Sequence, residues 1–337
     1  MNKKEEFFSL FGSGKTQEYI PFHPILMHFA ARLNHSTYAE FASDHRILVQ
    51  SNIRAMDQFD LDWVELISDP YRETAAFGAQ IKYVPEGVPV CLSPIIKTLE
   101  DVHNLKNPDL YRSPRTSDRI SGARLYQEIL KGTVPVFGWI EGPLAEACTL
   151  TGVSNMLILL MTDPDFCNFL MDKCMITAKE FAKAQIDAGC DVIGIGDAIC
   201  SQVDPEVYNS YVMDRHRELI SYIHSLGGKV KLHICGNITH LLPSLKEVGT
   251  DILDIDWEVG FDDARHFMGP EVIICGNINP VVIQDSSKDE IGKLSTSLIR
   301  SNRENKIILS GGCEITVNTP HANLSEMSET AKKFRNK

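Results

Sequence analysis

From about residue 134 onward, short apolar runs rich in β-branched residues alternate with longer stretches whose apolar positions recur at helical spacing. The short runs cover residues 134–142, 192–197, 230–235, 252–258, 272–277 and 307–312. Near-continuous apolar character across each run predicts strands buried on both faces, as in a parallel sheet sandwiched by helices. Two of the intervening helices are well delimited. One spans 164–188, with Asp163 as N-cap and Gly189 as its stop; the other spans 205–226, with Asp204 and Gly227 in the same roles.

Two further strands fit at 21–26 and 61–67, which brings the total to eight and predicts an α/β fold of the (β/α)8 TIM-barrel type. On this reading one barrel domain covers 1–337, with 1–20 an N-terminal extension and 68–130 a set of inserted elements. An open doubly wound sheet is the competitor, and it would carry a Gly-rich phosphate loop after its first strand. The FGSGK peptide at 11–15 imitates such a loop faintly, but it precedes the first strand.

Barrel enzymes collect their chemistry at the C-terminal ends of strands. The run at 230–235 ends in His233 and Cys235, which share one strand face because side chains alternate. The run at 307–312 delivers Cys313 to the same rim, after two glycines that permit close backbone approach. One imidazole and two thiolates form a donor set suited to Zn2+, and three protein ligands leave a fourth position for water or substrate. Taken singly, each has a bland alternative as a core cysteine or a satisfied core histidine. Cys275 also ends a strand, but it has no histidine neighbour and is expected in the core.

Carboxylates are expected around this centre. Asp197 closes the run at 192–197, while Asp256 and Glu258 follow Asp254 on one face of the next strand but one, and all three are candidate catalytic groups. Glu258 or Asp256 could complete the metal's coordination or only support the rim. Glu141, Asn277 and Asn279 are candidate substrate-positioning groups at the mouth, although each could equally cap a loop.

Composition narrows the function classes. A formal net charge of -12 and a pI near 5.4 count against a nucleic-acid groove or an anionic membrane surface, both of which reward clustered Lys and Arg. No secretory leader or membrane-spanning run is read in the sequence, so a cytoplasmic protein is expected. Nine cysteines scattered through 337 residues then read as reduced thiols, available to a metal.

The His233-x-Cys235 pair followed by the distant Cys313 resembles the zinc methyltransferase branch of the uroporphyrinogen decarboxylase superfamily, and the likeness runs through nearly the whole chain. The decarboxylases themselves share an early Met-Arg-Gln-Ala-Gly-Arg motif. Here it reads Met27-His28-Phe29-Ala30-Ala31-Arg32, so only the second arginine survives. The resemblance places His28 and Arg32 in the substrate-binding region, and the lost arginine argues against a polyanionic porphyrin.

What the resemblance implies is a zinc-dependent enzyme that moves a methyl group between the cobalt of a corrinoid (cobalamin) and a small substrate. That substrate is either a thiol acceptor or a methoxy compound, as in O-demethylation. The resemblance implies that the corrinoid is carried by a separate partner protein, and the sequence, which shows no cobalamin-binding Asp-x-His-x-x-Gly motif, is consistent with that. A homodimer is compatible with the same reading. Porphyrin decarboxylation and a non-catalytic barrel that only docks a corrinoid protein stand as the alternatives.

Overall fold

The computed structural model describes residues 1–12 and 17–334, so Ser13 to Lys15 of the FGSGK peptide lie outside the described residues. Nine strands are present among the described residues: β1 (Val64–Glu65), β2 (Ile81–Val84), β3 (Gly87–Cys91), β4 (Val136–Glu141), β5 (Val192–Gly196), β6 (Lys229–Ile234), β7 (Ile252–Ile255), β8 (Ile273–Ile278) and β9 (Ile307–Gly311). Seven of them form one parallel sheet in the order β1-β4-β5-β6-β7-β8-β9, while β2 and β3 pair as a separate antiparallel hairpin. This is the TIM-barrel architecture that the alternating pattern predicts.

The eighth barrel position is reduced to a single parallel bridge between Phe22 and Leu309. Leu309 N–H donates to Pro21 O at 2.9 Å, His23 N–H to Leu309 O at 3.2 Å, and Asp62 N–H to Phe22 O at 3.2 Å, so this segment ties β9 to the approach of β1. The predicted strand at 21–26 is short for a chemical reason. Pro21 and Pro24 have no N–H to give, leaving Phe22 and His23 as the only donors between them.

The inserted region differs from the reading at 68–130 at its far end. Helix Pro114–Leu130 is the crossover that carries the chain from β1 to β4, so the additions are the Arg72–Ala76 helix, the β2–β3 hairpin and the Leu99–Asn104 helix. Helix Pro164–Asp187 is capped by Asp163, whose Oδ1 accepts from Phe166 N–H at 3.1 Å. It stops at Gly189, where φ is +110°. The second predicted helix is interrupted by a wider π turn at Tyr208–Val212 between Pro205–Val207 and Met213–Ser225. Among the described residues no single helix is long and apolar enough to cross a membrane.

Side chains on the inner faces of the strands fill the barrel. At the end where strands begin, Trp63, Phe137, Val192, Ile252, Ile273, Cys275 and Ile308 form one buried apolar cluster. Cys275 is thus the core residue expected of it. Helix Lys3–Phe8 closes this end, held by a capping box between Asn2 and Glu5, and inserts the fully buried Phe7 with ring centroids 5.6 Å from Trp63 and 5.5 Å from Phe137. Burying one such ring contributes roughly 1.5–3 kcal/mol. Helix Lys3–Phe8 is therefore the floor of the barrel. At the opposite end the interior turns polar.

Candidate metal centre

Strand alternation brings His233 and Cys235 to the inner face at the end of β6, where His233 lies in register between Gly196 of β5 and Asp254 of β7. Cys313 must reach them from β9. It does so because the turn after β9 leans inward: Gly312 N–H donates to Ile278 O at 2.9 Å, and its Cα rests on the Asp256–Trp257 backbone, where any Cβ would collide. His233 Nε2 then stands 3.0 Å from Cys235 Sγ, and Cys235 Sγ stands 3.8 Å from Cys313 Sγ.

These donors fit zinc. A tetrahedral ion with Zn–S near 2.3 Å and Zn–N near 2.0 Å requires sulfurs about 3.8 Å apart and nitrogen-to-sulfur separations of about 3.6 Å. The sulfur pair already meets the first spacing. The imidazole is roughly half an ångström too close to Cys235, within the reach of small side-chain rotations. Among the described residues no carboxylate joins these three atoms in the group of donors lying within 4.8 Å of one another.

Charge within the cluster is shared. The hydrogen bond with Cys235, together with His233, pulls the Cys313 thiol down to about 5 against the opposing effect of burial. Cys235 is pushed upward, first by the same hydrogen bond and then by burial. Burial alone would lower His233, but Cys235 and Asp254 together raise it well above the usual imidazole range. A zinc ion takes thiolates and a neutral imidazole, so its binding should release the protons held on Cys235 and His233.

Beneath the centre lies a set of buried charges to which the sequence alone assigns no role. Asp254 Oδ2 is 3.1 Å from His233 Nδ1 and 2.9 Å from Lys231 Nζ, and both approaches are too oblique for a well-aligned hydrogen bond. Lys231 is fully buried, with its ammonium 5.8 Å from the ring centroids of both Trp63 and Trp139. Glu65 faces the same space, and burial pushes its carboxyl up to about 7 despite the attraction of Lys231. The two-residue spacing from His233 back to Lys231 was the available signal, since alternation puts both on one face.

The remaining candidates separate into those that support the mouth and those that do not. Asp256 is buried and braces the loop after Cys235: its Oδ2 accepts from Gly236 N–H at 2.9 Å and its Oδ1 from Glu258 N–H at 3.2 Å. Asn277 holds the neighbouring turn after β7 from the β8 side, donating to Asp256 O at 3.1 Å and Val259 O at 2.7 Å. Glu258 itself is exposed. Asn279 is an N-cap, with Oδ1 accepting from Val281 N–H at 2.8 Å.

Asp197 is not at the mouth, which corrects the expectation drawn from its place at a strand end. The inner face of β5 carries Gly194 and Gly196, so Asp197 falls on the outer face one residue on. There it is fully buried, accepts from Ala145 N–H at 2.7 Å and meets His216 Nε2 at 3.0 Å. The glycines have their own purpose: a Cβ on Gly194 would strike the indole of Trp139, which lies across β5 with its ring centroid 6.4 Å from that of His233.

His28 N–H donates to Glu314 Oε1 at 2.9 Å, and its ring sits 3.2 Å from Glu86 Oε2 and stacks on Tyr38. Glu314 follows Cys313 directly and burial pushes its carboxyl up to about 7. Arg32 is exposed and donates to Asn318 Oδ1 at 2.7 Å. Glu141 is buried against Arg72, 2.7 Å away, and burial drives its carboxyl up to about 8 while Arg72 opposes the shift. Glu73 and Glu146 pack into the same pocket of acids and are raised as well, again chiefly by burial.

The profile of the uroporphyrinogen decarboxylase (URO-D) family matches residues 2–334. The chain belongs to that family. Its relatives carry two kinds of name. A uroporphyrinogen decarboxylase of Trichlorobacter lovleyi is 25% identical over 77% of this chain and 76% of its own length. The methylcobamide:CoM methyltransferase MtbA of Methanosarcina mazei is 28% identical over 78% of this chain and 77% of its own. Among solved structures, a methyltransferase from Methanosarcina mazei superposes with a TM-score of 0.90, covering 99% of both chains at 19% identity, which shows the shared fold.

Proposed function

We propose that this URO-D family member transfers a methyl group between the cobalt of a corrinoid carried by another protein and a small substrate, using zinc held by His233, Cys235 and Cys313. One observation carries the reading: an imidazole nitrogen and two sulfurs from the ends of β6 and β9 converge within 4.8 Å of one another at the mouth of the barrel, the sulfurs at the spacing a tetrahedral zinc requires. Three protein donors leave a position for substrate. Bound there, zinc would supply a Lewis acid that favours the deprotonated form of a thiol, or that draws electron density from a methoxy oxygen.

The chain's own residues supply the rest. Asp254 beside Nδ1 turns Nε2 of His233 toward the sulfurs. Two cysteine ligands rather than additional histidines offset the ion's charge, so a coordinated thiolate would keep its nucleophilicity. Asp256 braces the loop that carries Cys235 onward, Asn277 holds the backbone of the turn that bears Asp256, and Trp139 forms an apolar wall beside His233. Similarity to MtbA supports the reading, and by extension a corrinoid protein as partner. Free dithiolate ligands also call for a reducing compartment, which is the ground for placing the protein in the cytoplasm.

Decarboxylation of a porphyrin is the competing reading, since relatives of that name match at similar identity. A polycarboxylate substrate would need free cationic donors. The buried arginines near the mouth are instead engaged within the protein: Arg72 with Glu141, Arg115 with Asp69, and Arg119 with the carbonyl of Ala42.

Elemental analysis of the purified protein and of its Cys235→Ala and Cys313→Ala variants tests the proposal. The expected result is near-stoichiometric zinc in the native protein and its loss in both variants, with methylcobalamin turnover in the presence of thiols or methoxy aromatics confined to the native protein. A native protein free of zinc, still folded after metal supplementation, overturns it.

A further inference from the structure

Lys231 occupies an unusual place. It is a fully buried ammonium on the barrel axis, one alternation step below a metal-binding histidine, flanked by the faces of Trp63 and Trp139. Desolvating a lone ammonium is costly, so the position is tenable only because of a partner. That partner is Asp254, 2.9 Å away, and the same carboxylate oxygen lies 3.1 Å from His233 Nδ1. The three side chains come from two adjacent strands whose register, Lys231 to Ile252 and His233 to Asp254, is fixed by the sheet itself. The arrangement is rigid.

We infer that Lys231 is a positioning residue that sets the donor strength of His233 through Asp254. The inference rests on the zinc reading above. A carboxylate next to the distal nitrogen of a metal-bound imidazole orients the ring and raises its basicity. Left alone, an anionic Asp254 would pull more strongly on the Nδ1 side of the ring and set an uncompensated negative charge against the centre. Lys231, 2.9 Å from the carboxylate, offsets that charge, so that Asp254 orients the ring with a moderated effect on its donor strength. Two cysteinates and a neutral histidine then cancel the charge of a divalent ion, and Asp254 and Lys231 cancel each other, leaving the buried assembly neutral. Glu65 is the other carboxyl facing Lys231, and burial raises it.

The test uses the metal-loaded protein and a spectroscopic readout. Cobalt(II) is substituted for zinc in the native protein, in Asp254→Asn, in Lys231→Met and in the double variant, and the sulfur-to-cobalt charge-transfer band is recorded with zinc affinity measured by chelator competition. Asp254→Asn should weaken zinc binding about 10- to 100-fold and move the band to lower energy. Lys231→Met should move the band to higher energy without weakening binding, and the double variant should return it toward the native position. If Lys231→Met does not fold, Lys231→Arg and the charge-balanced double variant carry the test: both should keep a near-native band.

Bands that coincide in all variants, or that move the same way in the two single variants, overturn the inference. A native protein that takes up neither cobalt nor zinc would instead defeat the zinc reading, a different and separable outcome.

Discussion

Replacing Asp197 with alanine should destabilise the fold without emptying the metal site. The carboxylate sits behind β5, away from His233, Cys235 and Cys313, and accepts from Ala145 N–H at 2.7 Å, from Leu144 N–H at 3.4 Å, and from His216 Nε2 at 3.0 Å. It therefore caps the first turn of helix Pro143–Thr151 from the end of the neighbouring strand β5. Loss of a cap costs about 0.5–2 kcal/mol. The His216 nitrogen stranded in a fully buried position costs about 1–3 kcal/mol more. Together they come to roughly 3 kcal/mol, a large share of the about 5–15 kcal/mol available to a domain.

Denaturant unfolding followed by circular dichroism, with zinc content measured on the folded protein, provides the assay. Asp197→Ala should lower the unfolding midpoint strongly and keep its zinc; Asp197→Asn, which retains an acceptor for the helix, should lose less stability. An Asp197→Ala protein with native stability and no zinc would refute the reasoning and return Asp197 to the site.

Phe7→Ala should cost about 3–5 kcal/mol, because it removes a fully buried ring from the barrel floor; thermal unfolding checks this, and a loss below 1 kcal/mol would mean the N-terminal helix is not docked. Glu65 predicts a pH effect. Its folded pKa of about 7 lies above the ordinary carboxyl value of 4.5, so the native state holds more protons between those values and stability falls as pH rises through that window. Glu65→Gln should flatten the decline, measured as unfolding free energy from pH 5 to 8, and an unchanged slope counts against the raised value. Zinc at a hundred times its dissociation constant should stabilise the native protein by about 2.7 kcal/mol, and a chelator should reverse the gain, as read by thermal unfolding.

The alternation of apolar runs and amphipathic stretches was enough to establish parallel β/α units, and the two-residue period of a strand was enough to put His233 and Cys235 on one inner face. These are local properties: they depend on spacing along the chain, and spacing is what a sequence records. The pairing with Cys313 was legible for the same reason, since all strand ends of such a barrel meet at one rim. Asp197 shows where that logic fails. Its period is one residue out of phase with the inner face, and only the sheet register reveals that Gly194 and Gly196 point inward.

Lys231, Asp254 and Glu65 show the same limit from the other side. Each reads as an ordinary charged residue on a strand, yet they share a desolvated space because β1, β6 and β7 curl around one axis. The fate of Arg72 was equally non-local, for this helix residue finds its partner, Glu141, 69 positions away at the end of β4. The chain alone determined which side chains could meet a metal. Only the tertiary structure decided which charges are buried together, because burial and the partner that makes it tolerable are products of strands brought side by side.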